Sequence, residues 1–267
     1  MEHRGATFQA VANPALESAR ARLAAHPDAK RHAAAMGLAE SLDVFHRNSR
    51  DIVALLEASA SEELGFELVQ NVRPPVVRDE FMARLAQALH NFLASSQSLS
   101  DHSRVSLKHV PATSKAALKS QLSSFSATPD AVFMKDLRNF TLHQAIPPLM
   151  HHISVTRNDD GSFDTVSTSA FPTEALMERH SWRPLSREVL DESPHHLAIL
   201  PVIQRFVPAL GNLAASVHDS IIASIDFPAL DALVIACNAA LMNTTPEQAK
   251  ALMEEHAARL QNNPPAR

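Results

Sequence analysis

Along most of this chain, apolar residues recur at spacings of three and four, the repeat of a helix that buries one face. From Ala29 to about Ala58 the positions Met36, Leu38, Leu42, Val44, Phe45, Ile52, Val53, Leu55 and Leu56 keep that repeat and predict one long amphipathic helix. A second runs from about Arg78 to Leu99, with Phe81, Leu85, Leu89, Phe92, Leu93 and Ser96 on its inner stripe and an extension open as far as Arg104. Small residues on that stripe let a neighbouring helix approach closely. A third helix starts after Thr128-Pro129-Asp130, with Asp130 as its expected N-cap. It turns Phe133, Leu137 and Phe140 inward until Pro147-Pro148 stops or kinks it. Between these helices, Leu64 to Val77 reads as extended or irregular, and Lys115 to Phe125 as a short surface helix.

The period changes between Leu149 and Phe171. Two β-prone runs flank Asn158-Asp159-Asp160-Gly161 and predict a hairpin inserted between helices. Helical spacing returns from Thr173 to Leu190, broken at Trp182-Arg183-Pro184. It continues in a fourth long helix over His196 to Ile225, where Pro201 and Pro208 predict a late start or a kink. Leu230 to Met242 and Pro246 to Leu260 add two more helices. The expected organisation is a flexible arm over 1–28, itself carrying a short helix from Ala15 to Ala25. A helical bundle over 29–227 follows, with the hairpin at about 149–171, and then C-terminal helices and a disordered tail over 228–267. The fold class expected is mainly α, an antiparallel helical bundle with a β-hairpin insertion.

Composition narrows the function classes. Five glycines and no tyrosine favour helix over a glycine-rich β architecture, and no Gly-rich phosphate loop, GxSxG or paired-carboxylate arrangement is present. The single cysteine, Cys237, excludes an internal disulfide and reads as an apolar filler. No run approaches the roughly 18–20 apolar residues of a membrane span, and the N-terminus lacks an apolar leader. A cytoplasmic protein with no membrane partner is expected. The formal net charge of -5 argues against gripping long nucleic acid over the whole surface, so any such contact must be local.

One segment carries suggestive chemistry: Arg138-Asn139-Phe140-Thr141-Leu142-His143. Asn139 and His143 are four apart and share a helix face, and the long stem of Arg138 is expected to bring its guanidinium beside the imidazole. Arginine supplies a positive fork for phosphate, and histidine gives or takes a proton near neutral pH. Together they suit RNA cleavage by its own 2′-hydroxyl without a metal. His143 would act as general acid or base, Arg138 would stabilise the charge that develops on phosphorus, and Asn139 would orient the histidine or reach the phosphate.

Arg138-Asn139-(three residues)-His143 resembles the Arg-polar-x-x-x-His motif of HEPN domains, the helical domains of many RNA-cleaving toxins and defence nucleases. The stretch Ala88 to Ser96, continuing through Asp101 to Arg104, is similar to the family's preceding long helix, and the match is sharpest over 78–146. The resemblance implies an up-and-down bundle that forms a homodimer, with the paired motif helices building a composite catalytic site from Arg138, Asn139 and His143. It implies RNA as the partner in a toxin–antitoxin or phage-defence setting, an antitoxin or other protein partner, and no cofactor. The chain departs from the family pattern at Pro147-Pro148, four residues past the histidine, and in the hairpin. Because members that have lost activity serve as assembly modules, two functions stand side by side. One is a metal-independent endoribonuclease or RNA-binding protein; the other is a non-catalytic interaction module.

Other residues carry blander expectations. Arg138 or His143 can pair with Asp136 on a solvated face. His151-His152 and His195-His196 fit no closed zinc spacing, so no metal is expected. His90, His102 and Arg104 belong to a solvated face or to the same cleft, and Trp182 is expected to anchor packing.

Overall fold

The long helices follow directly from the apolar stripes. In the computed structural model, which describes residues 13–61, 64, 68, 76–144, 147 and 149–262, the chain is mainly helical with a small antiparallel sheet. The segment expected to be extended, Leu64 to Val77, lies mostly outside the described residues, as do the start of the N-terminal arm and the end of the tail. The described chain divides into two compact units, Met1–Ala34 with Ile222–Arg267, and Ala35–Ile221.

In the first unit, α1 (Pro14–Ala25) is capped by Asn13, whose side-chain oxygen accepts from the Leu16 amide at 3.1 Å. The Asn13 amide also donates to the Ala240 carbonyl at 2.8 Å. The arm expected to be flexible over 1–28 thus includes a helix packed on one near the C-terminus. The unit boundaries accordingly differ from the expected 1–28, 29–227 and 228–267.

The second unit contains the bundle. Helix α2 (Pro27–Ser59) enters it at Ala35 and buries Leu38, Phe45, Ile52 and Leu56. Helix α3 (Val76–Ser106) buries Phe81, Leu85, Leu89, Phe92, Leu93 and Leu99. Phe45 stacks on Phe92 with ring centroids 6.0 Å apart, and Phe206 meets Phe92 edge-on at 6.1 Å. Ser96 and Ser103 on the buried side of α3 return their hydroxyls to the Leu93 and Leu99 carbonyls, so each is satisfied inside its own helix. After a 3-10 turn at Leu107–His109 comes α4 (Ala112–Ser126).

Helix α5 (Pro129–His143) starts one residue pair earlier than the expected Asp130 cap. Thr128 is extended, and its side chain accepts from the Ala131 amide at 3.3 Å. The reason is Pro129, which disfavours helical geometry in the residue before it and is itself suited to the first helical position. Asp130 instead meets Arg205 through two bonds of 2.9 and 2.8 Å. As expected, Phe133, Leu137 and Phe140 are fully buried, and the helix ends at His143.

The hairpin is present as β1 (Met150–Arg157) and β2 (Phe163–Pro172), in register from Met150 opposite Ala170 to Arg157 opposite Phe163. Gly161, at φ 85, supplies the left-handed residue of its loop. A third strand, β3 (His196–Ala198), pairs with the far end of β2, so the hairpin belongs to a three-stranded sheet in the order β1-β2-β3. Helices α6 (Thr173–Arg179) and α7 (Pro184–Asp191) lie on either side of the expected break at Trp182. Helix α8 (Ile199–Ile222) starts after β3 instead of at His196. That delay places Pro201 in the first turn, where no intrahelical amide is needed. Helices α9 (Phe227–Met242) and α10 (Pro246–Asn262) complete the first unit. No single helix among the described residues is long and apolar enough to cross a membrane.

Candidate functional site

Helix α5 has two differently occupied sides within the fold. On one, Phe133 and Phe140 stack against Trp182 at centroid distances of 5.6 and 6.1 Å. The buried indole donates to the Leu176 carbonyl at 2.8 Å, so Trp182 is a packing anchor, as expected. Beside it sits Asp136, with only 7% of its side chain exposed. Arg183 donates from Nε to both carboxylate oxygens at 2.8 and 3.0 Å, and its backbone amide adds a bond of 3.3 Å. Ser186 donates at 2.6 Å. Burial pushes the Asp136 carboxyl up, but the bonds from Arg183 and Ser186 outweigh it and hold the group below its ordinary value. Asp136 therefore pairs with Arg183, not with Arg138 or His143.

A second side faces α3. Ala131, Met134, Lys135 and Arg138, at spacings of three, one and three, look across at Leu93, Ser96, Gln97, Ser100 and Arg104, which keep the same helical repeat. Small side chains at Ser96 and Ser100 line a recess of about 70 Å³ that Phe125 and Phe206 also line. Four cations line it: Arg104, Lys135, Arg138 and Arg183. No carboxylate is among its described lining residues. Two of the cations are held by neighbouring groups. Arg104 bonds Asp101 at 3.0 Å and Ser126 at 3.1 Å, while Arg183 is fixed by Asp136 and by a bond to the Val132 carbonyl at 3.0 Å. Lys135 and Arg138 have no ion-pair partner among the described residues. The Nε of Arg138 is buried with no hydrogen-bond partner among the described residues, and no other buried side-chain nitrogen or oxygen among them is left so. An unmade bond of that kind costs about 1–3 kcal/mol.

The rest of the motif lies toward the Asp136 side of the helix, His143 being seven residues, about two turns, beyond Asp136. His143 is exposed in the last turn, one turn beyond the half-buried Asn139. Neither lines the recess. Five residues of helix turn the side-chain direction by ~140° and advance it by ~7.5 Å. The expectation that Arg138 brings its guanidinium beside the His143 imidazole is therefore corrected: within one chain Arg138 joins Lys135 and Arg104 instead. Of the residues expected to share its cleft, Arg104 does so. His102 contacts Ser41 on α2, and His90 is exposed away from the recess. Arg183 was not singled out by sequence reasoning as a functional residue, and its 47-residue separation from Asp136 leaves no local signal.

The hairpin histidines do other work. His151 is half-buried, with Nε2 2.7 Å from the Ser167 hydroxyl and Nδ1 3.3 Å from that of Ser169. Both serines donate to Ser59, one to its carbonyl and one to its hydroxyl, each at 2.9 Å. Burial first, and then the neighbouring His152, push the His151 imidazole below its ordinary value. The His152 ring lies 5.0 Å from that of His196. Among the described residues no three side chains of the metal-ligating types converge. Two larger grooves, of about 470 and 500 Å³ along α2 and α3, contain Glu40 and Asp51 respectively and so lack the uniformly cationic lining of the recess.

Compared with known proteins, the chain matches no family model, no curated protein and no solved structure.

Proposed function

We propose that this is an RNA-binding helical protein of the HEPN type, holding the phosphate of its ligand in the recess between α3 and α5. One observation carries the reading: four cations line a single recess without a lining carboxylate, and one of them keeps a buried N–H without an acceptor. Phosphate oxygens satisfy guanidinium and ammonium donors of this kind, and bonds to a charged acceptor are about twice as strong as neutral ones. A local basic recess on a chain of net charge -5 also fits contact with a short stretch of RNA rather than with a long duplex.

Metal-independent cleavage is the second reading. It draws on His143, exposed one turn from Asn139 at the end of α5. Since Arg138 and His143 diverge within one chain, cleavage requires His143 of a second copy to face the recess, that is, a homodimer. The non-catalytic interaction module is the outcome if neither RNA binding nor cleavage is found.

The test is fluorescence anisotropy with a short single-stranded RNA, for wild type and a Lys135→Gln, Arg138→Gln double variant, over a salt series. Loss of two phosphate contacts lowers the slope of log affinity against log salt by about 1.4 for a single strand. An unchanged affinity and slope removes the recess from RNA binding. Incubating the same RNA in EDTA with wild type and His143→Ala decides on cleavage, because only wild type cuts if the second reading holds.

A further inference from the structure

The recess carries a charge count that distinguishes one kind of phosphate from another. Arg104 and Arg183 are each matched by a carboxylate, Asp101 and Asp136, whereas Lys135 and Arg138 have none among the described residues. Two positive charges are left over. An internal phosphodiester brings one negative charge, and a terminal phosphate monoester brings nearly two once its second proton is lost, near pH 6.

Size and available donors point the same way. About 70 Å³, where a single water needs about 10–15 Å³ on the same measure, has room for a phosphate group. An internal diester must carry a sugar away on both sides, whereas a terminal phosphate enters with its chain trailing from one oxygen. The hydroxyls of Ser96 and Ser126 already donate to the Leu93 and Leu122 carbonyls, at 2.9 and 2.7 Å. The charged donors left for an incoming anion are the Lys135 ammonium and the Arg138 guanidinium, and the Ser100 hydroxyl and Gln97 amide line the same recess. Arg183 reaches the recess already fixed by Asp136 and the Val132 carbonyl, so little freedom is lost when an anion arrives.

From this geometry we infer that the recess is a receptor for the terminal phosphate monoester of an RNA strand, with Lys135 and Arg138 neutralising the dianion and Arg104 and Arg183 framing it. The inference rests on the RNA-binding reading above and narrows it to a chain end.

The experiment compares one internally labelled single-stranded RNA of about ten nucleotides in three forms: 5′-phosphorylated, 3′-phosphorylated, and with hydroxyls at both ends. Wild type is expected to bind one of the phosphorylated forms at least about tenfold more tightly than the hydroxyl form, as follows from one or more charge-assisted bonds. That preference shrinks as pH is lowered through about 6, where the monoester takes up its second proton. Lys135→Gln, an exposed position that leaves the core intact, reduces it to about twofold or less. Equal binding of all three forms overturns the inference and leaves the RNA-binding reading standing. Binding of inorganic phosphate alone, seen as a thermal shift absent in Lys135→Gln, with no RNA bound in any form, overturns the RNA source and assigns the recess to a small phosphate. No response to phosphate or to any RNA overturns both readings.

Discussion

The cluster beneath the hairpin and the recess beside α5 are both places where polar groups are taken out of water, and they differ in how they are completed. Ser59, His151, Ser167 and Ser169 complete one another, from the 2.7 Å contact of His151 with Ser167 to the 2.7 Å bond from the Ser59 hydroxyl to the Leu56 carbonyl. The recess collects four cations and leaves one buried donor open. A cluster completed within the fold ties β1 and β2 to the end of α2. An incomplete one stores an unmet interaction, and such groups persist where a ligand supplies what the chain does not. The contrast also separates two arginines in one recess: Arg183, paired with Asp136, is part of the framework, and Arg138 has no such carboxylate among the described residues.

The sharpest way to break that contrast is to remove Asp136. Its carboxylate accepts from the Arg183 side chain and backbone and from Ser186 while nearly buried. Asp136→Ala strands Ser186 and frees a guanidinium that is itself 45% exposed, so the loss falls at the lower end of that for a broken buried pair, about 3 kcal/mol. Urea unfolding followed by far-UV circular dichroism reads this as a lower midpoint at unchanged slope. A change below about 1 kcal/mol makes Arg183 as free as Arg138 and dissolves the distinction.

Arg138 is expected to behave in the opposite sense. Arg138→Met keeps an unbranched stem for packing along α5 and deletes the buried N–H that lacks an acceptor. With no ligand present the variant gains about 1 kcal/mol, since the desolvation of that donor is no longer incurred. In the same protein, RNA binding falls. Gain of stability with loss of binding is what a group kept for a ligand predicts. Loss of both makes Arg138 structural.

How much of this was legible in the sequence depends on how far apart the interacting residues are. The stripes of α2, α3 and α5 could be read because each is set by residues three or four apart, and the hairpin because its loop residues adjoin its strands. Arg138 and Arg104 were singled out, and Lys135 lies one turn before Arg138 on the same face. Three features escaped. Strand β3 is only three residues long and exists through its pairing with β2. The link from Arg183 to Asp136 spans 47 residues with no periodic trace. The direction of Arg138 was misjudged because five residues along a helix turn a side chain most of the way round to another side, and which side becomes a recess depends on the small serines of α3 opposite. Motif spacing placed Arg138 and His143 on one helix, and only packing decides which of them meets other charges.

The smallest effect tests the completed side of the comparison. Burial first, and then the adjacent His152, hold the His151 imidazole below its ordinary value. His152 and His196, whose ring lies against that of His152, are the titratable neighbours identified there. A histidine whose folded value is depressed binds its proton less readily in the native state than in the unfolded chain. Its contribution to stability is therefore full above the unfolded value, about 6.5, and is lost as pH falls below it toward the folded value. Unfolding midpoints should accordingly decline as pH falls through and below about 6.5, still above the range where Asp136 takes up a proton. His151→Asn removes the titrating group and should flatten that stretch of the profile while lowering stability at neutral pH, because the bond to Ser167 is lost. A decline that survives the substitution assigns the pH dependence to another group. A flat wild-type profile means that the cluster accommodates the imidazolium, which donates from both ring nitrogens to the two serine hydroxyls whose own protons go to Ser59.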